Sequence, residues 1–226
     1  MNLLGLDSST AASSACVLRS DGAVFEHEPD RVDPGRRAHA RELLPAAARV
    51  LESSGLDWGE LDAIGVGVGP GGFTGLRIGI ATARALAAAS GVELRPVSSL
   101  AALAEGITDG SGGSPRLPLI DAGRGELFAA LYAGGEARWP PFAARPEELA
   151  ERVQDAGLSP LAAGDGAIRF RGMLETAGIR IEPDASSAHA VRALHVCRLA
   201  GRAPARPPEA VLPDYVRSPD AKPRSE

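Results

Sequence analysis

One order of elements occurs twice along this chain, and that duplication restricts the fold more than any single motif. "LLGLD", residues 3–7, is a short apolar run ending in Asp7 before a Ser/Thr turn. "SACVLRSDGAVFEHE" then alternates around an Asp21-Gly22 turn, so residues 2–28 are predicted to form antiparallel strands. A helix is expected over residues 39–54, with Leu43, Leu44, Ala47, Ala48, Val50 and Leu51 at helical spacing and Gly55 as its stop. Pro45 opposes a regular helix interior, so that helix should start near Leu44 or kink there. "LDAIGVGVG" reads as a buried strand, residues 74–90 as a helix, "ELRPV" as a strand and "SSLAALAEG" as a helix. Beyond "TDGSGGSPR" the order restarts. "LPLIDAGRGELFAALYAG" is a strand ending in Asp121, a Gly turn and an alternating strand. "PEELAERVQDAG" is a helix, "SPLAAGDG" a short strand, "IRFRGMLETAG" a helix, "IRIEP" a strand and "SAHAVRALHVCRLAG" a helix.

A duplicated β-β-β-α-β-α-β-α unit predicts an α/β protein of two stacked lobes with a cleft between them, the second copy compressed. The expected division is a lobe over residues 1–106, a linker over 107–116, a smaller lobe over 117–203 and a Pro-rich extended tail over 204–226. Within the tail, "VLPDYVR" is expected to dock as an extended segment and residues 218–226 to be disordered.

Composition narrows the function classes. A net charge of −5 and a pI of about 5.5 argue against a protein that grips nucleic acid unaided. No apolar run approaches the ~20 residues of a membrane span. "MNLLGLDSST" meets Asp7 too early for a signal peptide, and Cys16 and Cys197 are expected to be buried, reduced thiols that suit the cytosol.

The most conspicuous local motif is "GVGVGPGGFTGLRIGIATARALA", residues 65–87. Gly67, Gly69 and Gly72 satisfy G-x-G-x-x-G, but the following strand lacks an acid at its end, Glu93 standing at its beginning. A Walker A loop fails for want of a lysine. Gly69, Gly71 and Gly72 instead suit a tight strand-to-helix turn at positive φ, with Thr74 as cap. Gly75, Gly79 and Ala83 form a small-residue stripe that admits a close backbone, either a sister helix in the same lobe or a partner chain. Neither a catalytic residue nor a cofactor is assigned. His27, His39, His189 and His195 show no metal-ligand spacing, and Cys16 has no adjacent base. Asp7 with Ser8, and Asp121 with Gly123, end the first strand of each repeat. They either form phosphate-cradling turns facing across the cleft or simply cap those turns.

With "DSST", "HARELLP", "GVGPGGFTGLRIGIATARALA", "PVSSLAALA", "IDAGRGELFAALY", "GDG" and "PDYVR" in hand, the chain resembles the TsaB (YeaZ) family, bacterial accessory proteins for threonylcarbamoyladenosine synthesis on tRNA. The likeness covers about residues 1–217, and "GPGGFTGLR" followed by "VSSL" is its most specific element. It implies the duplicated ribonuclease-H-like fold of actin, sugar kinases and the Hsp70 ATPase. It further implies a non-catalytic scaffold, a degenerate paralogue of the transferase TsaD. Where TsaD has metal-binding histidines, this chain has Ser98, Ser99 and Leu103, which cannot hold a transition metal.

The resemblance also implies that helices 39–54 and 74–90 form an association face for TsaD, or for a second copy when the chain is alone. Its residues would be His39, Leu43, Ala47, Val50, Thr74, Gly75, Ile78, Gly79, Thr82 and Ala83. On that basis Gly79→Trp should leave the monomer folded and abolish partner binding. TsaE would join the assembly, TsaC would supply the activated intermediate, and tRNA would be met only through the complex, in the cytoplasm and without a membrane. Arg31, Arg36, Arg37 and Arg41 are either a solvated face or a contact for an acidic partner. The alternative reading is a stand-alone ATP-dependent small-molecule kinase of the same fold using Asp7 and Asp121, and a third is a metallopeptidase-like protein.

Overall fold

The computed structural model describes residues 1–27, 39–108 and 113–216, with the side chains of residues 39–41 outside that description. Two five-stranded mixed sheets carry the molecule. The first contains β1 (Leu3–Asp7), β2 (Ser14–Leu18), β3 (Val24–His27), β4 (Ala63–Gly69) and β5 (Glu93–Ser98), in the order β3-β2-β1-β4-β5. The second contains β6 (Arg116–Gly123), β7 (Glu126–Ala133), β8 (Glu136–Ala144), β9 (Leu161–Ala163) and β10 (Arg180–Ile181), in the order β10-β9-β6-β7-β8. Reading one list backwards gives the same path, so the repeat seen in the sequence is a repeat of topology. In each sheet the first strand pairs antiparallel with the second and parallel with the fourth.

Strand alternation decides what covers each face. Leu4, Leu6, Ala15, Val17, Ile64 and Val66 turn to one side of the first sheet. There they meet α1 (His39–Ser54) and α2 (Phe73–Ser90), which also touch each other. Leu3, Cys16 and Ala63 turn to the opposite side and meet α7 (Ala193–Ala200), the last α-helix among the described residues. A Cβ on Gly65 would press on Ala200 and Val196, so the glycine lets α7 lie close on β4. The helix after β5, α3 (Ser99–Gly106), packs against β6, β7 and α7. Leu100 and Leu103 there join Ile120, Phe128 and Ala130 of the second sheet and Val196 and Ala200 of α7. Helices from both halves thus fill the space between the sheets. The other face of the second sheet is covered by α4 (Pro146–Asp155) and α6 (Arg171–Thr176), through Leu149, Val153 and Leu174.

The elements depart from the sequence reading at a few points. The first helix is assigned continuously from His39, with Pro45 on its exposed side, so it does not begin near Leu44. "IRFRGMLETAG" forms two helices, α5 (Asp165–Arg169) and α6, because Phe170 at φ −111° and ψ 20° leaves the helical region between them. The last helix begins only at Ala193, after a 3₁₀ turn at Ser187–His189. Residues 204–216 return to the first sheet through a 3₁₀ turn at Pro208–Ala210, and residues 211–216 of "VLPDYVR" dock there without helix or strand, as expected. Cys16 and Cys197 are both buried free thiols, also as expected. The expected disorder of residues 218–226 and the Arg31, Arg36, Arg37 and Arg41 cluster fall outside the described side chains. Among the described residues no helix is long and apolar enough to cross a membrane.

Candidate functional site

The two Asp-ended turns are built differently. Asp7, Ser8 and Ser9 are each only 1% exposed. Asp7 Oδ1 accepts hydrogen bonds from the Ser9 amide at 2.8 Å and the Ser9 hydroxyl at 2.7 Å. Its Oδ2 accepts the Ser99 hydroxyl at 2.9 Å and occupies space that a Cβ on Gly67 would fill. Burial pushes the Asp7 pKa up, and the hydrogen bonds from Ser9 and Ser99 oppose that rise. Both oxygens are therefore taken by the chain's own hydroxyls and amide. These contacts are those of the turn-capping alternative for Asp7, whose carboxylate ties the turn to Ser9 and Ser99.

Ser8 explains the glycine stripe. Its hydroxyl donates to the Gly75 carbonyl at 2.8 Å. A Cβ on Gly75 would overlap the Ser8 carbonyl oxygen, and one on Gly79 would overlap the Ser8 hydroxyl. Ala83 is fully buried in the core of the first sheet. Gly75 and Gly79 are thus met by the chain's own first turn, so the side chain of Gly79→Trp would have to displace Ser8 within the monomer. Of the strand-to-helix glycines, only Gly69 has positive φ, at 118°. Gly71 is required for space, since a Cβ there would meet the Ser9 backbone, and Gly72, not Thr74, is the N-cap.

The second turn is more open. Asp121, half-buried, accepts from the Gly123 amide at 2.9 Å through Oδ1 and pairs with Arg169 at 2.5 Å through Oδ2. Asp165 stands beside it and accepts the Asp121 amide at 2.9 Å and the Gly166 amide at 2.8 Å. Burial is the main cause that pushes the Asp165 pKa up to about 6, and the Asp121 carboxylate adds to it. Asp165 was not singled out by the sequence, although "GDG" contains it. Ser98 caps α3 by accepting the Ala101 amide, Ser99 serves Asp7, and Leu103 is buried between the sheets. Ser98, Ser99 and Leu103 thus each serve the fold, as a cap, as a hydrogen-bond donor to Asp7 and as core. Among the described residues no group of three His, Cys, Asp or Glu could hold a metal ion. A shallow depression of about 460 Å³ lies between Trp139 and α4 and includes neither Asp7 nor Asp121.

The association residues divide by burial. Leu43, Ala47, Val50, Gly75, Gly79 and Ala83 are all buried within the chain, against the first sheet or its turn. Thr74 is exposed and Ile78 and Thr82 are half-exposed, on the outer side of α2 with Ala81 and Ala85. His39 lies outside the described side chains. Outer residues that the sequence reading did not assign to this face include Leu44 at 50% exposure and Phe73 at 45%. Residue spacing could not separate them, because α2 carries apolar residues on both sides and the exposed side of α1 mixes Leu44, Pro45 and Ala48 with Glu42, Arg49 and Glu52.

Residues 34–145 match the family model for TsaD, tRNA N6-adenosine threonylcarbamoyltransferase. The chain is 33% identical over 171 residues to the tRNA threonylcarbamoyladenosine biosynthesis protein TsaB of Escherichia coli, covering 74% of this chain and 72% of that one. The structure of YeaZ from Pseudomonas aeruginosa superposes with a TM-score of 0.77 at 29% identity, over 95% of this chain and 99% of that one. The ROK hexokinase of Thermus thermophilus superposes with a TM-score of 0.50 at 15% identity, over 88% and 98% of the two chains, a likeness of fold alone. Two sheets of one topology, helices exchanged between them and this relatedness along most of the sequence lead to one assignment: the chain belongs to the TsaB (YeaZ) family, on the duplicated α/β fold shared with the sugar kinases.

Proposed function

We propose that the chain is a non-catalytic scaffold for tRNA threonylcarbamoyladenosine synthesis, binding a TsaD-type threonylcarbamoyltransferase through the outer faces of α1 and α2. The observation that carries this reading is the contrast between a closed Asp7 turn and an apolar outer helix face. Thr74, Ile78, Ala81 and Ala85 recur at helical spacing on one side of α2, and Leu44, Pro45 and Ala48 line the outside of α1. Exposed apolar side chains on two touching helices fit a helical-bundle contact with a partner of the same fold. In this reading a second copy occupies the face when the transferase is absent. TsaE joins the pair, TsaC supplies the activated threonylcarbamoyl group, tRNA is met through the complex, and all of this takes place in the cytoplasm.

Ile78→Arg tests the face. It adds a charge at a half-exposed position, so the monomer should keep its melting temperature while co-elution with the transferase on size exclusion is lost. Wild-type co-elution by that variant would refute the assigned face. A rise in melting temperature of the isolated wild type with Mg-ATP would contradict the scaffold reading, because a ligand that binds only the native state stabilises it.

A further inference from the structure

The segment after α7 is anchored at four points along the first sheet and α2. The Arg206 amide donates to the Leu94 carbonyl at 2.8 Å, pairing the segment antiparallel with the edge strand β5. Val211 is 1% exposed and belongs to the core of the first sheet. The Asp214 amide donates to the Val68 carbonyl at 2.7 Å, beside Gly69, where a Cβ would press on the Asp214 carbonyl. Finally the Tyr215 ring stacks on Phe73, centroids 5.4 Å apart and planes 24° from parallel. The Arg77 guanidinium lies 3.8 Å from the Phe73 centroid, and its Nε–H donates to the Tyr215 hydroxyl at 3.1 Å. Prolines at 204, 207, 208 and 213 restrict the free segment and lower the entropy lost on seating it.

Those contacts end on the helix that carries the proposed association face. Phe73 and Arg77 are exposed, and they adjoin Thr74 and Ile78 on the first turns of α2. An exposed aromatic and an exposed guanidinium would each sample several rotamers if unsupported. Tyr215 holds both in one arrangement, which lowers the ordering cost of any partner that meets them.

We propose that residues 206–216 form a strap whose seating on α2 is coupled to partner binding, with Tyr215 as the positioning residue for Phe73 and Arg77. The proposal rests on the α1–α2 face described above, and it adds that the face is incomplete until the strap is seated. Coupling between two binding events is reciprocal. The transferase should therefore protect the strap, and a loosened strap should weaken the transferase.

The test uses the full chain and the threonylcarbamoyltransferase of the same organism, with affinity measured by calorimetry. Tyr215→Ala should bind about tenfold more weakly, from loss of the ring stack and the held guanidinium. Tyr215→Phe, which keeps the stack, should recover most of that loss. In the wild type, hydrogen exchange at the Asp214 amide should slow when the transferase is added, a change that a purely structural tail would not show. Wild-type affinity in Tyr215→Ala, or unchanged exchange at Asp214 on complex formation, would overturn the strap while leaving the face intact if Ile78→Arg abolishes binding. Wild-type binding by Ile78→Arg as well would remove the face, and the strap proposal with it.

Discussion

A carboxylate buried as completely as Asp7 is costly unless its oxygens are met, and here three donors from Ser9 and Ser99 meet them. Asp165 is the less completely solved case, and it makes stability depend on pH. Its folded pKa of about 6 lies above the ordinary 3.8, so between those values the folded chain holds a proton that the unfolded chain has released. The sign follows: stability contributed by this group is present below pH 3.8 and is lost as pH rises to about 6. Asp165→Asn keeps an acceptor for the Asp121 and Gly166 amides and removes the titration. Urea unfolding at pH 4.5 and pH 7.5 should show the variant gaining about 1–2 kcal/mol relative to wild type at the higher pH. An equal difference at both pH values would place the titration elsewhere. Only half of this scale was legible in the sequence. Asp7 and Asp121 stood out as strand ends, but their hydrogen-bond partners Ser99 and Arg169 are distant in sequence and carry no local signal.

At the scale of the element, α2 combines two contacts on opposite sides. Its inner side meets the Ser8 turn, with Gly75 against the Ser8 backbone and Gly79 against the Ser8 hydroxyl, and its outer side carries Thr74, Ile78, Ala81 and Ala85. Gly75→Ala drives a Cβ into the Ser8 backbone and should destabilise the monomer by about 2 kcal/mol, even after the gain in helix propensity over glycine. Gly79→Ala meets only the Ser8 hydroxyl, which can rotate, and should cost less. Thermal unfolding of the two variants ranks them, and the reverse order would show that the turn yields more easily than the hydroxyl. The helix itself was plain from its spacing, residues 74–90 expected against Phe73–Ser90 observed. The identity of its cover was not. A four-residue repeat of Gly, Gly and Ala states that something comes close, and the pattern is identical whether that is a turn of the same chain or another molecule. The third strand of the second repeat, Glu136–Ala144, was equally unassigned in the sequence, since Pro140 and Pro141 interrupt its alternation.

For the whole molecule, the duplicated topology was legible because each copy repeats its Asp-ended strand, its hairpin and its helices in order. The exchange of helices was not legible, because periodicity says that a face is apolar without saying which sheet it meets. α3, from the first half, packs on the second sheet, and α7, from the second half, backs the first. Glu26 on β3 pairs with Arg192 and accepts the Leu194 amide, fixing the start of α7 to the first sheet. Residues 1–106 expressed alone lack that cover over Leu3, Cys16 and Ala63 and should fail to give a cooperative unfolding transition by circular dichroism. A sharp transition from that fragment would show that the first sheet is self-sufficient. The Cys197 thiol sits 3.6 Å from the Leu3 carbonyl, across 194 positions of sequence. During synthesis, then, β1 waits for a helix that leaves the ribosome some 190 residues later. Folding of the first half cannot be completed until α7 has emerged, and its bare sheet is what a chaperone would meet on the nascent chain before then.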